Sequence, residues 1–371
     1  MFPYIDDSRY KHLLCIITKG VEDGERLSGL AHVGEHACLL PCFERTPGGE
    51  ESYFASGYTC IDHACLYYAA KRIECLSRIQ KKINDKSILR KDRVDIAKHQ
   101  VINECENLKY KIKTNETIVK FVTGGRIQNF AAGKSEDIRH ITYEDVYWWL
   151  EDIQMSHNAF FFFLESPEPT FIKKAIEQKR NFVWEDSQEK RLYIDGQQEN
   201  KVAIYIKIPC TKDKIEYFRR KIEENYLQYC LNLSIKEKIE VYEKYFTYSE
   251  RYLVIEMVHG KKKYLERYII ALQDFILNYD SENYIAFKAQ FYETQKKLFK
   301  DYRKRNSEVL AELQNQILYH LPILDIPKDL ELLSGDENDL SNDLIKSLRS
   351  PLRIVVFCPE DEKFGTSIME K

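Results

Sequence analysis

Two segments that read as opening strands, Tyr10-Lys-His-Leu-Leu and Asn200-Lys-Val-Ala-Ile, are separated by almost the same interval as two that read as closing strands, beginning at Ala159 and Leu352. A constant offset at both ends marks an internal duplication. No other feature constrains the fold as strongly, because whatever the first half builds, the second half must build again. The chain has 371 residues, of which 44% are hydrophobic, enough for two cores. The pattern predicts an α+β protein of two similar lobes, each a mostly antiparallel sheet with helices packed on one face. The first lobe is residues 1–167, the second 168–371, and the polar stretch Ser166 to Asn200 joins them.

Hydrophobic period places the elements. In the first half His12 to Thr18 reads as a strand, and Ser28 as the N-cap of a helix over Gly29 to Leu40 that Pro41 stops. Gly48-Gly49 marks a loop and Ser52 to Cys60 a strand. Helices follow from Asp62 or His63 to Asn84 and from Lys91 to Lys113, then a basic glycine-containing stretch, Gly124 to Gly133. Thr142 to Asp152 is helical and the apolar run Ala159 to Leu164 a buried strand. The second half gives strands at Val202 to Ile208, Arg251 to Val258 and Leu352 to Phe357. Its helices are Lys212 to Leu231, Lys261 to Leu277, Glu282 to Tyr319 and a short one at Ser341 to Leu348.

Charge narrows the function. With 56 Lys+Arg against 59 Asp+Glu the net charge is −3, without the basic excess of a nucleic-acid binder, so no nucleic-acid partner is expected, even at the basic helix Lys296 to Arg305. No apolar run reaches the eighteen or so residues of a membrane span. The N-terminus carries Asp6 and Asp7 where a signal peptide needs positive charge, which predicts a cytoplasmic protein. The ten cysteines include no Cys-x-x-Cys pair. They are expected as reduced thiols packed like small hydrophobes, and Cys38 and Cys42 lack the second close pair of a structural zinc site.

The chemistry concentrates in His32-Val-Gly-Glu35-His36. Residues four apart share one helix face, so both imidazoles can address one metal ion with Glu35 beside it. This is the inverse of the His-Glu-x-x-His order. Hydrolysis by such a centre needs two neutral imidazoles, a third ligand, an open position for water and a carboxylate that takes the water's proton.

Together with Ser28-Gly-Leu-Ala ahead of it, Gly48-Gly49 and Gly57-Tyr-Thr-Cys-Ile-Asp-His-Ala-Cys-Leu-Tyr67, this motif resembles the pitrilysin/insulinase family of zinc peptidases. Asp137 to Tyr147 with the strand after it resembles the end of that family's first lobe, and Pro327 to Phe357 the end of its second. The resemblance implies one Zn2+ per chain and a third ligand on a later helix, in a segment that here is Val101-Ile-Asn-Glu104. Glu104 is the candidate, although the 67 residues between it and His36 are fewer than the family pattern has. Glu106 is the alternative, about 200° around the helix, so both cannot face one ion.

The resemblance further implies that Ser56, Gly57, Tyr58, Thr59 and Cys60 form a sheet edge that takes a peptide substrate as an added strand. Ser56-Gly57, Cys60 and Ala64 depart from the usual residues there. The family's transition-state pair, an Arg and a Tyr, has as its nearest match Lys236 and Tyr242, where Lys lacks the planar fork of Arg. The activity so implied is that of a zinc metalloendopeptidase, with Glu35 as general base and then proton donor. One chain supplies half of a two-part chamber, so a dimer is expected, a heterodimer with a homologous subunit carrying the Arg/Tyr pair rather than a homodimer. Peptide maturation or leader removal is the expected task. The competing reading is a non-catalytic peptide-binding scaffold subunit.

Overall fold

The computed structural model describes residues 4–18, 28–40, 43–46, 49–127, 131–155, 159–164, 189–197, 200–209, 213–235, 237–247, 250–279, 281–299, 305–319, 321 and 340–359. In the first half of the sequence they form β1 (Lys11–Ile17), α1 (Leu30–Leu39), β2 (Phe43–Thr46), β3 (Gly49–Ser52), β4 (Phe54–Thr59), β5 (Ala64–Ala70), α2 (Ile73–Asn84), α3 (Lys91–Asn107), α4 (Lys109–Val122), α5 (Ser135–His140), α6 (Tyr143–Met155) and β6 (Ala159–Leu164). In the second half they form β7 (Lys190–Gln197), β8 (Lys201–Lys207), α7 (Lys214–Ser234), β9 (Lys238–Thr247), β10 (Glu250–Val258), α8 (Leu265–Leu277), α9 (Ser281–Phe299), α10 (Asn306–Tyr319), α11 (Asn342–Leu348) and β11 (Arg353–Pro359). The chain divides into two compact units. One comprises Met1–Glu116, Ile127–Ala175 and Lys304–Leu318, the other Thr117–Arg126, Ile176–Arg303 and Tyr319–Lys371.

In the first unit the sheet runs β4-β5-β1-β6 with every neighbouring pair antiparallel. Alternation sends Leu13, Cys15 and Ile17 of β1 and Leu66 and Tyr68 of β5 to one face. There they pack with Ala37 of α1, Leu76 of α2, Val101 of α3 and Leu150 of α6. The opposite face carries α10, whose Asn306 and Gln314 reach His12 and Tyr58. The second unit repeats the plan as β7-β11-β8-β10-β9, antiparallel except for β7 beside β11. Val202, Ile204 and Ile206 of β8 face Leu227 of α7, Leu272 of α8 and Leu344 of α11. Ala203 and Tyr205 face Ile118, Phe121 and Val122 of α4. The predicted α+β class with two similar helix-backed sheets is what the chain forms.

Several local expectations are corrected. The helix expected from residue 62 to Asn84 is strand β5 followed by α2. Ala64 to Ala70 is buried at all seven positions between β4 and β1, and a short apolar run buried on both faces has no period that separates strand from helix. The stretch read as a joining segment contains β7, where Leu192 and Ile194 alternate inward. Residues 238–247, unassigned by period, form β9. Ser28 is not the N-cap of α1; Gly29 is, at φ +88° and without a side-chain cap bond. The helix from Lys91 breaks at Leu108 into α3 and α4, and the one from Glu282 divides into α9 and α10. Residues 327–339 of the Pro327 to Phe357 segment lie outside the described residues, as do Cys42 and Cys210; the eight described cysteines form no disulfide. No helix among the described residues is long and apolar enough to cross a membrane.

His12 ties acid sensitivity to this packing. It is 1% exposed, its Nδ1–H donates to the Tyr67 hydroxyl at 2.9 Å, and the Asn306 amide donates to its Nε2 at 3.0 Å. Burial pushes its pKa down to about 4, against about 6.5 unfolded. The unfolded chain therefore binds the extra proton first, and stability that is full above pH 6.5 drains away as pH falls toward 4, by up to about 3 kcal/mol. Urea midpoints at pH 7 and 4.5 are expected to differ less in His12→Asn than in the parent chain.

Candidate metal centre

Helix α1 is buried along Ala31, Val33, Ala37 and Cys38. That orientation leaves His32 and His36 one turn apart on the adjoining face, their rings 5.0 Å apart. α1 packs on α3, and Glu104 of α3 arrives between the two imidazoles. Its Oε2 is 3.4 Å from His32 Nε2 and its Oε1 3.5 Å from His36 Nε2. Glu106 points elsewhere, 3.5 Å from Arg139 on the surface.

The tautomers follow from the remaining ring nitrogens. His32 Nδ1 lies 3.4 Å from the carbonyl of Ala132 and His36 Nδ1 3.1 Å from Oε1 of Gln100. Both partners only accept, so each Nδ1 carries the proton and each Nε2 presents a lone pair. Burial and the neighbouring His36 lower the His32 pKa, which keeps that ring neutral. Two lone pairs and a carboxylate thus converge with no donor among them, their ligand atoms all within 4.8 Å of one another. Tetrahedral zinc with bonds of about 2.1 Å spaces its ligand atoms about 3.4 Å apart. The two imidazole–carboxylate separations match that spacing, and the chemistry of the donor set fits the ion.

The orienting groups were not among the sequence candidates. Gln100 precedes Glu104 by four residues and so shares its helix face; this was the one signal available. Ala132 is held by a close backbone approach, where Gly133 (φ +77°) lies so near Gly29 that a Cβ on it would stand 2.5 Å from the Gly29 Cα.

Glu35 is 3% exposed and accepts a hydrogen bond from the Thr59 hydroxyl at 2.6 Å. Burial pushes its carboxyl up to about 7, partly opposed by the Thr59 bond and reinforced by Glu104. Of the expected substrate edge, Ser56 to Thr59 lie in β4, the outermost strand of its sheet, and Cys60 just beyond it. Thr59 turns toward Glu35, whereas Tyr58 turns to the other face and meets His63 Nε2 at 3.1 Å. A Cβ on Gly57 would lie 2.7 Å from Glu35 Oε1 and 2.9 Å from the Cys65 carbonyl. Gly57→Ala is therefore expected to cost about 1–3 kcal/mol by overpacking, read as a lowered urea midpoint. Lys236 lies outside the described residues. Tyr242 is in β9 of the second unit and donates to Glu256 Oε2 at 2.9 Å.

No protein-family model matches the sequence, and no curated protein does. Solved structures do. The first half of the periplasmic protease PqqL from Escherichia coli superposes with TM-score 0.75 at 13% identity, over 95% of this chain and 88% of that one. Against the longer PqqL structure the values are 0.74 and 14%, over 96% of this chain and 46% of the other, so the chain spans about half that protein. An M16-like peptidase from Alicyclobacillus acidocaldarius matches with TM-score 0.66 at 14% identity, covering 95% and 93%. A peptidase M16 inactive domain from Pseudomonas fluorescens matches with 0.64 at 12%, covering 97% and 94%. The chain shares the fold of M16 peptidase halves, those of the pitrilysin type among them.

Proposed function

We propose that this chain is the metal-bearing half of a zinc endopeptidase that hydrolyses unfolded peptides. The observation that carries the reading is the convergence of His32 Nε2, His36 Nε2 and Glu104 on one point with no donor among them, one helical position from a buried carboxylate. His32, His36 and Glu104 would hold one zinc ion. Bound there, zinc would supply Lewis acidity toward the scissile carbonyl and the attacking water.

The chain's own groups do the rest. The edge of β4, outermost in its sheet among the described residues, hydrogen-bonds the backbone of an extended peptide from Ser56 to Thr59, with Cys60 at its end. Glu35, held by Thr59, accepts the proton of the attacking water at its carboxylate and delivers it to the leaving amine nitrogen. Gln100 and Ala132 keep both imidazoles in the tautomer that faces the ion.

A chain that matches one half of a longer protease supports assembly with a second, homologous half. Lys236 and Tyr242 are poor substitutes for an Arg/Tyr pair, so the proposed partner is a different subunit that carries it, with peptide maturation as the task. The likeness to an M16 inactive domain favours the second reading, a peptide-binding scaffold. The ligand set weighs against it, because a scaffold has no need of three converging acceptors. Incubating the chain, alone and with a homologous second half, against a peptide library and reading cleavage by mass spectrometry tests the proposal. Zinc at one per chain with cleavage is the expected result; a metal-free chain that leaves every peptide intact refutes it.

A further inference from the structure

The duplication extends to the position of the metal centre. In the first unit, Glu35 of α1 bonds Thr59, Thr59 pairs with Ala64, and Ala64 pairs with Ile17. In the second unit, Lys221 of α7 lies between Glu224 of α7 and Glu243, Glu243 pairs with Leu253, and Leu253 with Ile206. Three independent elements keep one offset: Ile17 to Ile206, Ala64 to Leu253 and Glu35 to Glu224 are each 189 positions apart. The same offset carries His32 onto Lys221 and His36 onto Asn225.

What stands at that position is a cation already built into the chain. Lys221 Nζ lies 2.8 Å from Glu224 Oε2 and 3.9 Å from Glu243 Oε2. Glu243 also pairs with the fully buried Arg251 and accepts from the Tyr245 hydroxyl. The second oxygens of Glu224 and Glu243 are buried with no donor in reach. Burial with the neighbouring Glu243 holds the Glu224 carboxyl well above the usual range, and a proton between the two carboxyls would satisfy both.

We propose that Lys221, Glu224 and Glu243 are the second lobe's counterpart of the metal centre, a cation site occupied by the Lys221 ammonium and convertible to a divalent transition-metal site by imidazoles at 221 and at 225, where the exposed Asn225 now spends its amide on the Lys221 carbonyl. The inference rests on the reading of His32, His36 and Glu104 as a metal centre and on register and contacts in both units, and does not depend on peptidase activity. Two experiments on the full chain test it. Removing the ammonium in Lys221→Met is expected to lower the melting temperature by about 5–10 °C, and Lys221→Met with Glu224→Gln to regain at least half of that loss. An additive pair of effects would overturn the proposal.

In a His36→Ala background, Lys221→His with Asn225→His is expected to bind Co2+, with the visible absorption of low-coordinate cobalt and a cobalt-dependent rise in melting temperature absent from His36→Ala alone. A folded variant that ignores cobalt would overturn the proposal. If that variant does not fold, the Met/Gln cycle decides.

Discussion

Glu35→Gln is expected to lower peptide hydrolysis by about 10²–10⁴-fold and to leave the zinc content unchanged. The side chain is 3% exposed, wedged where Gly57 leaves no room for even a Cβ, so an isosteric amide fits and can still accept the Thr59 hydroxyl bond. It cannot take a proton. Glu35 is not one of the three converging acceptors, and its removal takes no ligand from the ion. Stability is expected to hold or rise, since burying a neutral amide costs less than burying a carboxylate. A cation between His32 and His36 would pull the Glu35 pKa down from its raised value, keeping the base ionised at neutral pH. Undiminished turnover in the variant, with zinc at one per chain, would refute the role of Glu35; lost turnover with lost zinc would show that it holds the ion instead.

How much of this was legible in the sequence depended on whether a residue's role is set by local period or by tertiary packing. The repeated plan, β1, β6 and β8 were readable as short apolar runs, with the opening and closing strands at a nearly fixed offset, and α1 as the segment that Pro41 stops. β5 was not, since only two residues part it from α2 and a strand buried on both faces carries no period to mark that boundary. β9 was hidden because charged Glu240, Glu243 and Lys244 interrupt its apolar alternation; Glu243 finds Arg251 on β10 and Lys221 on α7. At the centre, His32 and His36 followed from helix geometry alone, and Glu104 followed only from resemblance. Choosing it over Glu106 required the packing of α3 on α1. Gln100 and the Ala132 carbonyl were beyond sequence reasoning because their roles depend on where a helix face and a glycine-rich turn come to rest. The charged cluster of the second lobe was invisible for a related reason: Lys221, Glu224 and Glu243 read as solvated helix and loop charges until the sheet register joined them.

That choice between neighbouring glutamates gives the second large effect. Glu104→Ala is expected to weaken zinc binding by at least about 10²-fold, since removal even of an outer-shell partner costs 10–100-fold and this change removes an anionic ligand. Glu106→Ala, which loses only an exposed pair with Arg139 at 3.5 Å, is expected to bind as the parent does, such pairs being worth about 0–1 kcal/mol. Gln100→Ala should fall between them, because it frees the Nδ1 proton of His36 without deleting a ligand. Competition with a chromophoric chelator at fixed pH orders the three variants. The order is diagnostic, because it tracks position around helix α3 and not charge: Glu104 and Glu106 carry the same carboxylate two residues apart. Long-range attraction alone would make their removal equivalent. A centre built on Glu104, oriented through Gln100 one turn earlier, makes it sharply unequal, and equal losses would place the third ligand elsewhere.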